Sequence, residues 1–486
     1  MRRRGFVMIW VLALASAMPA SAQPAGKAGK PNIVLILTDQ QNASMLGCAG
    51  NRWLKTPAMD GLAATGARFE RAFCANPVCV PSRFAMMTGV MPTRIGMDNN
   101  RDIGNPVPAH VMRHAMGAVF RNAGYETVYG GKTHLPGGET GPAAYGFKDL
   151  SRDQRGELAR ACAAYLCQPH DRPFLLVASF INPHDICYMA IQEFEQAQGV
   201  RKKKPKAGGG PQVRALEEAM RLPAGVPAAE FYQKLCPPLP ANLEISHGEP
   251  PALRTNERGG TSPRHEMQQR WSDERWRLHR WAYARLTERV DAEIGVVLKA
   301  LRESGLADKT LVIFTSDHGE MDGAHRLGQK GFPYEEAIHV PLLVSWPGVT
   351  RAGHVDSTHL VSSGLDLIPT MCDFAGIPIP KELKGRSVRP LALGNAVSDW
   401  REDVAVEIHG ARALRTTRYK YAVYPSGTPR ELLVDLRSDP GEMRNLATSA
   451  EHRDLLEQMR GRLAAWYRQH NERLDPQYSV AAPAAK

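Results

Sequence analysis

Four short apolar runs in this chain each end abruptly in residues that carry chemistry. Asn32 to Thr38 (NIVLILT) delivers Asp39-Gln40, and Thr127-Val128-Tyr129 leads through Gly130-Gly131 to Lys132-Thr133-His134. Phe174 to Phe180 (FLLVASF) delivers Asn182-Pro183-His184, and Thr310 to Thr315 (TLVIFT) delivers Asp317-His318-Gly319. Continuous Val, Ile, Leu and Phe without polar alternation reads as strands buried on both faces, the habit of a parallel sheet. Helical patterns lie between the runs. The clearest places Leu278, Ala282, Leu286, Val290, Ile294, Val297 and Leu301 on one face, with Gly305 as its stop. Strands alternating with helices predict an α/β fold, a large and mostly parallel sheet sandwiched by helices. In such sheets ligands bind beyond the carboxyl ends of the strands, where all four loaded segments fall.

Three stretches depart from that pattern. Residues 192–265 hold Arg201-Lys202-Lys203-Lys204-Pro205-Lys206, Gly208-Gly209-Gly210 and prolines at Pro223, Pro227, Pro237, Pro238 and Pro240. They predict a loop-rich insertion, with the basic run a solvated flexible segment. From about residue 399, Val404 to Ile408 and Tyr419 to Tyr424 read as antiparallel strands, Asp439-Pro440-Gly441 as a turn, and His452 to His470 as an amphipathic helix. These predict a smaller C-terminal α+β subdomain over 399–486. At the other end, Met1-Arg2-Arg3-Arg4, an apolar run from Gly5 to Met18 and Ala20-Ser21-Ala22 before Gln23 have the form of a secretory signal peptide over 1–22. That leaves 23–398 for the main α/β domain, the one that carries the loaded strand ends. No other stretch approaches ~18 uninterrupted apolar residues. The sequence therefore predicts an exported protein, periplasmic or secreted, with no integral membrane anchor.

The formal net charge of +11 falls by three once Arg2, Arg3 and Arg4 are removed. A modest positive balance suits an anionic substrate, and no compact basic motif accompanies it, which argues against nucleic acid. The 8 cysteines are few for an exported chain of 486 residues, whose core can supply stability without disulfides. None of their spacings makes a zinc site.

One cysteine stands in a distinctive setting: Cys79-Val80-Pro81-Ser82-Arg83, then Met87-Thr88-Gly89. By residue type alone it would be a buried thiol or half of a disulfide. The rest of the chain supplies an anion-handling set around it. Asp39 and Gln40, with Asp317 and His318, offer two carboxylates, an amide oxygen and an imidazole on two strand ends, suitable ligands for one divalent cation. Lys132 and His134 follow a Gly-Gly pair, which lets their backbone approach a bound anion. Lys330 adds a second ammonium, and Arg83 and His184 complete the set.

In that order the residues resemble the type I sulfatases of the alkaline-phosphatase-like superfamily. The likeness runs through Thr38-Asp39-Gln40, Thr56-Pro57, Cys79 to Arg83, Gly131-Lys132-Thr133-His134, Pro183-His184, Ser316 to Gly319 and Lys330. It continues through Asp366 to Gly376 (DLIPTMCDFAG), Tyr419-Lys420-Tyr421, Asp435-Leu436 and Asp439-Pro440 to Asn445-Leu446. The resemblance implies that a formylglycine-generating enzyme oxidises Cys79 to formylglycine, whose hydrate is the nucleophile. It implies a metal held by Asp39, Gln40, Cys79, Asp317 and His318, calcium in the first instance and manganese as the alternative. It further implies catalytic roles for Arg83, Lys132, His134, His184 and Lys330. The cations would neutralise the sulfate and Asp317 would take the nucleophile's proton. His184 or Lys330 would protonate the leaving alcohol, and His134 would accept the second hydroxyl's proton.

The expected substrate is a sulfated small molecule or glycan, carrying its sulfate on a carbohydrate oxygen, a sugar nitrogen or an aryl group. The alternative is a phosphonate monoester or phosphodiester hydrolase on the same scaffold. A catalytically dead binder of sulfated glycans would have lost Cys79 or a metal pair, and neither is lost. Two departures from the family's pattern matter: many members carry a second aspartate in place of Gln40, and many carry asparagine in place of His318. The first lowers the negative charge of the metal set and the second makes it softer.

Overall fold

The computed structural model describes residues 29–137, 141–197, 210–254 and 262–480. The signal-peptide expectation for 1–22 and the basic run 201–206 lie outside the described residues. In chain order the first strands are β1 Asn32–Asp39, β2 Ala67–Phe69, β3 Ala72–Phe73, β4 Glu126–Gly131, β5 Lys148–Ser151, β6 Phe174–Pro183 and β7 Thr310–Ser316. They are followed by β8 Leu342–Ser345, β9 His354–Asp356, β10 Val361–Ser362, β11 Asp403–Ile408, β12 Ala411–Thr416, β13 Tyr419–Val423 and β14 Glu431–Asp435.

Eight strands make the central sheet, in the order β5-β4-β6-β1-β7-β8-β2-β9. The stretch from β5 to β7 is parallel throughout. Beyond it β8 runs antiparallel to both β7 and β2, and β9 is parallel to β2. The sheet is mostly parallel, as the apolar runs require. Alternate residues of each run face opposite layers: Leu35, Val177 and Ile313 enter one core, Val34, Leu176 and Phe314 the other. The second core is closed by Val290, Ile294, Val297 and Leu301 of the helix Asp273–Glu303, whose Ser272 Oγ accepts from Arg275 N at 3.2 Å. That hydroxyl is the N-cap, satisfying one of the helix's orphan donors.

The described part of the insertion contains the helix Pro211–Ala219, and a further helix, Pro263–Arg270, spans its end. Ala215, Leu216 and Met267 join Trp276 and Leu286 of the long helix in a third core. Four antiparallel strands, β11-β12-β13-β14, form the C-terminal sheet, which packs on the helix Arg453–Gln469. That sheet is tied to the catalytic region at two places. Glu407 N donates to Ala75 O at 2.8 Å, just ahead of Cys79, and Lys420 Nζ bridges Glu335 and Glu442 at 2.8 and 2.7 Å. All 8 cysteines are free thiols. No helix among the described residues is long and apolar enough to cross a membrane.

Candidate active site

Sheet register brings the loaded segments together. Thr38 pairs with Ser316, Asp39 with Pro183, and Gly131 with Ser179. Lys132, His184, Asp39 and Asp317 therefore emerge at the carboxyl ends of four neighbouring strands. Gly131 has φ +93°, and a Cβ there would lie 2.1 Å from Ser179 O. Only glycine lets the chain pass so close, which places Lys132 N on Ser179 O at 2.8 Å. Facing this edge is the helix Cys79–Thr88, buried along its whole length, with Cys79 as its first residue. Its free amides and dipole favour negative charge at that end.

Cys79 Sγ is the meeting point. Lys330 Nζ lies 2.9 Å from it, His318 Nε2 3.2 Å, Asp39 Oδ1 3.8 Å and Lys132 Nζ 3.9 Å. One turn into the helix, Arg83 spans the two carboxylates: its Nε is 2.8 Å from Asp317 Oδ2 and its Nη2 2.9 Å from Asp39 Oδ2. Its Nη1 donates to Lys132 O at 2.9 Å and Ser179 Oγ at 2.7 Å. Tyr129 Oη and Ser179 Oγ also donate to the Lys132 carbonyl, fixing that backbone. The Lys132 ammonium sits 2.6 Å from Asp39 Oδ2. Such a buried guanidinium spanning two carboxylates is stable only because every partner is in place.

The charges shift one another strongly. Burial alone would push Asp39 up, yet Lys132, His184, Arg83 and Lys330 hold its carboxyl well below the usual range. Asp317 goes the other way, to about 6, driven by burial and then by the neighbouring Asp39 charge. Burial and Asp39 would raise the Cys79 thiol, but Lys132, Lys330 and His318 outweigh them and pull it well below an ordinary thiol. Burial, then Lys330 and Lys132, lower His184 to about 4. A thiol held this way has thiolate character, and the site as a whole favours an anion at the Sγ position.

Each residue named from the sequence has a definite place here. Asp39, Cys79, Asp317 and His318 are fully buried, and each has a ligand atom within 4.8 Å of the others. His184 Nε2 stands 3.9 Å from Asp39 Oδ1. Gln40 turns at φ +68°; its amide N–H donates to Asp317 Oδ1 at 3.1 Å, while its side-chain oxygen accepts from Lys330 Nζ at 2.8 Å. His134 lies with Lys132 and Asp149 along a cleft of about 470 Å³, its Nδ1 buried and unpartnered. Sequence reasoning missed Ser179, an unremarked serine inside an apolar run, and Glu320, three residues past Asp317. Glu320 accepts from the Gln40 side-chain amide and from Gln329 N, so it fixes the residue that holds Lys330.

With this geometry in hand, comparison with known proteins is direct. The sulfatase family model matches residues 31–377. The chain belongs to the sulfatase family. A second model, the C-terminal region of N-sulphoglucosamine sulphohydrolase, matches residues 323–469. A Δ4,5-hexuronate-2-O-sulfatase of Bacteroides thetaiotaomicron is 30% identical over 479 residues, covering 92% of each chain. An ulvan-active sulfatase of Formosa agariphila is 29% identical over 449 residues, covering 89% of this chain and 80% of its own. Among solved structures, a 2-O glycosaminoglycan sulfatase superposes with a TM-score of 0.73 at 26% identity, covering 93% of this chain and 98% of its own. The phosphonate monoester hydrolase of Agrobacterium radiobacter shares the fold, with a TM-score of 0.69 at 22% identity over 92% of this chain and 97% of its own. The protein is thus a type I sulfatase of alkaline-phosphatase-like fold, an enzyme that hydrolyses sulfate esters.

Proposed function

We propose that this sulfatase removes sulfate from a carbohydrate, with a nucleophile made by oxidising Cys79 to formylglycine, and that it works after export. The observation that carries the reading is the position of Cys79 Sγ, at a helix start between two ammonium groups, an imidazole and a carboxylate. The carbohydrate is supported by relatives named for a hexuronate sulfate and for ulvan. A formylglycine-generating enzyme would be the partner in maturation.

Asp39, Asp317, His318 and residue 79 fit a divalent cation: two hard carboxylates suit calcium, and the imidazole brings manganese forward. Such an ion would polarise the sulfate oxygens and offset their charge. Gln40, expected from the sequence among the ligands, gives its amide oxygen to Lys330, and we assign it the task of orienting that ammonium. Oxidation of Cys79 to the aldehyde and addition of water would supply two hydroxyls on one carbon: one oxygen would bond to sulfur as the alcohol leaves, and loss of the other hydroxyl's proton would expel sulfate and restore the aldehyde.

The chain's own groups do the rest. A sulfate monoester resists attack because its oxygens repel the nucleophile, so Lys132, Lys330 and Arg83 act first by neutralising charge in a preorganised, water-poor site. Asp317, held near pKa 6, is suited to accept the proton of the attacking hydroxyl. His184 protonates the departing alcohol, since a bound anion would offset the cations that depress it. His134, on the Lys132 side, takes the last proton.

The test of this reading is the intact mass of the Cys79 peptide from exported protein. It should be lighter than the thiol form by about 18 Da. Active enzyme whose Cys79 is quantitatively unmodified would contradict it. Comparing nitrophenyl sulfate with nitrophenyl phosphonate esters sets the sulfatase activity against a phosphonate side activity, and sulfate should be turned over faster.

A further inference from the structure

The cavity that leads from solvent to Lys330 carries more positive charge than one sulfate group would use. It measures about 720 Å³ and is walled by Arg101 beside the Cys79 helix, by Arg264 on the helix Pro263–Arg270, and by His409 and Tyr424 of the C-terminal sheet. Arg254 and Lys330 line it too, and among the described residues no aspartate or glutamate does. Arg254 is already matched by Glu249, its Nη2 being 3.0 Å from Oε2.

Arg264 is different. Its Nε meets the neutral Gln329 Oε1 at 3.4 Å, and its guanidinium carbon lies 5.1 Å from the centre of the Phe332 ring. Among the described residues no carboxylate pairs with it. Burial pulls its pKa down, with only distant help from Cys187 and Glu320 in the other direction. A half-buried cation left without a counter-charge is partly desolvated at a cost, and an arriving anion relieves that cost.

Its position is equally specific. Gly331 has φ +92°, and a Cβ there would lie 3.3 Å from Arg264 Nη2 and 3.7 Å from Val78 Cγ2. The guanidinium therefore covers the residue next to Lys330 and stands beside the residue that precedes Cys79. Lys330 Nζ is itself 2.9 Å from Cys79 Sγ. An anion held by Arg264 would belong to the same sugar as the scissile sulfate or to its immediate neighbour.

We propose that Arg264, assisted by Arg101, binds a second anionic group of the substrate, a carboxylate or another sulfate, beside the sulfate ester that is cleaved. This rests on the carbohydrate-sulfatase reading above and makes Arg264 a specificity-determining residue within it. The planar fork of the guanidinium can offer two parallel N–H bonds to either group, which a point charge cannot. Substrates without the second anion leave the half-buried cation unpaired, so discrimination falls on kcat/KM.

The experiment uses two pairs of sugars that each differ by one negative charge. A uronic acid 2-O-sulfate is compared with its neutral uronamide, and glucosamine 2-N,6-O-disulfate with N-acetylglucosamine 6-O-sulfate. Sulfate release is measured for the wild type, Arg264→Met and Arg264→Lys. The wild type should favour the charged member of one pair by about 10–150-fold, the worth of a charge-assisted contact. Arg264→Met should bring that ratio close to one by slowing the charged member, and Arg264→Lys should keep part of it. The pair whose ratio collapses identifies the anion as carboxylate or sulfate. If Arg264→Met fails to fold, Arg264→Lys and Arg264→Gln carry the same comparison. Wild-type ratios near one in both pairs, or a preference that survives the substitutions, overturn the proposal. Wild-type enzyme that releases sulfate from nitrophenyl sulfate but from none of the sugars would instead overturn the carbohydrate reading beneath it.

Discussion

His184→Ala separates proton donation from charge neutralisation, because the two depend differently on the leaving group. The imidazole stands 3.9 Å from Asp39 at the end of β6, with its side chain 20% exposed and so within reach of an entering substrate. Burial, then Lys330 and Lys132, hold it at about pKa 4, so at neutral pH it is uncharged until an anion arrives. A positioned general acid contributes about 10²–10⁴-fold, and only where the leaving group needs its proton. A sugar alkoxide does; nitrophenolate departs largely unaided. His184→Ala should therefore cost about 10²–10⁴-fold on a sugar sulfate and less than about tenfold on nitrophenyl sulfate.

The pH dependence carries the same argument with a definite sign. kcat/KM reports the free enzyme, so on a sugar sulfate the loss of the His184 proton above about 4 offsets the ionisation of Asp317 up to about 6, and kcat/KM should fall above about 6. kcat reports the anion-bound enzyme, and its limb should lie at higher pH. Both limbs should vanish in His184→Ala. Equal losses on the two substrates, or a limb that persists in the variant, would refute the role and transfer it to Lys330.

The remaining predictions use other parts of the structure. Lys132→Met and Lys330→Met remove charge rather than a proton donor, so each should weaken transition-state binding by about 2–4 kcal/mol on both substrates alike; a loss that grows with leaving-group basicity would instead mark Lys330 as the acid. Asp39→Ala and Asp317→Ala should abolish turnover and metal content together, and exhaustive chelation should mimic them, with calcium or manganese restoring activity; full activity in metal-free protein by elemental analysis would contradict the ligand set. Glu293, on the long helix, has Oε2 buried and unpartnered and Arg289 only 3.9 Å from Oε1, and burial, weakly opposed by Arg289, lifts it to about 7. An acid whose folded pKa is raised loses stability as pH climbs from its unfolded value to its folded one, so Glu293→Gln should stabilise by roughly 2–3 kcal/mol at pH 8 and by little at pH 4.5. Equal gains in thermal midpoint at both pH values would show that ionisation is not the cause.

The strand ends were legible because a parallel sheet leaves few choices. Runs such as NIVLILT and FLLVASF are too apolar to face water on either side, so their polar termini must open at one edge. Orientation at that edge was not legible. Gln40 reads as a metal ligand by type and position; that its left-handed backbone also sets the side-chain amide against Lys330 and Glu320 is a matter of tertiary geometry. The sequence names His184 as one of two candidate acids, but burial, and then the proximity of two lysines, depresses it, and neither shows in the pattern. Arg264 was hidden for another reason. Its helix, Pro263–Arg270, has no apolar stripe to mark it as packed, yet Met267 lies in a buried core.

The segment from Asp317 to Lys330 explains how so dense a cluster of charge is kept in one arrangement. Asp322, His325, Arg326 and Gln329 all adopt positive φ, between 49° and 65°, without being glycine. Each such residue costs of the order of 1–3 kcal/mol and persists only where its surroundings over-determine it. Here they do: His279 Nδ1 is 3.1 Å from Asp322 Oδ1, His325 N donates to Asn242 O at 2.7 Å, and Glu320 accepts from Gln329 N and from Gln40. A single strained loop thereby delivers Asp317 and His318 to one side of Cys79 and Lys330 to another. The groups proposed to hold the scissile sulfate come from strand ends, the Cys79 helix and this loop. The groups that would read the rest of the substrate, Arg264 and Arg101, come from the chain outside the sheet, on the helix Pro263–Arg270 and in the segment that follows the Cys79 helix. Substitutions in that outer wall should change which sugar is accepted, whereas substitutions at the strand ends should stop sulfate chemistry altogether.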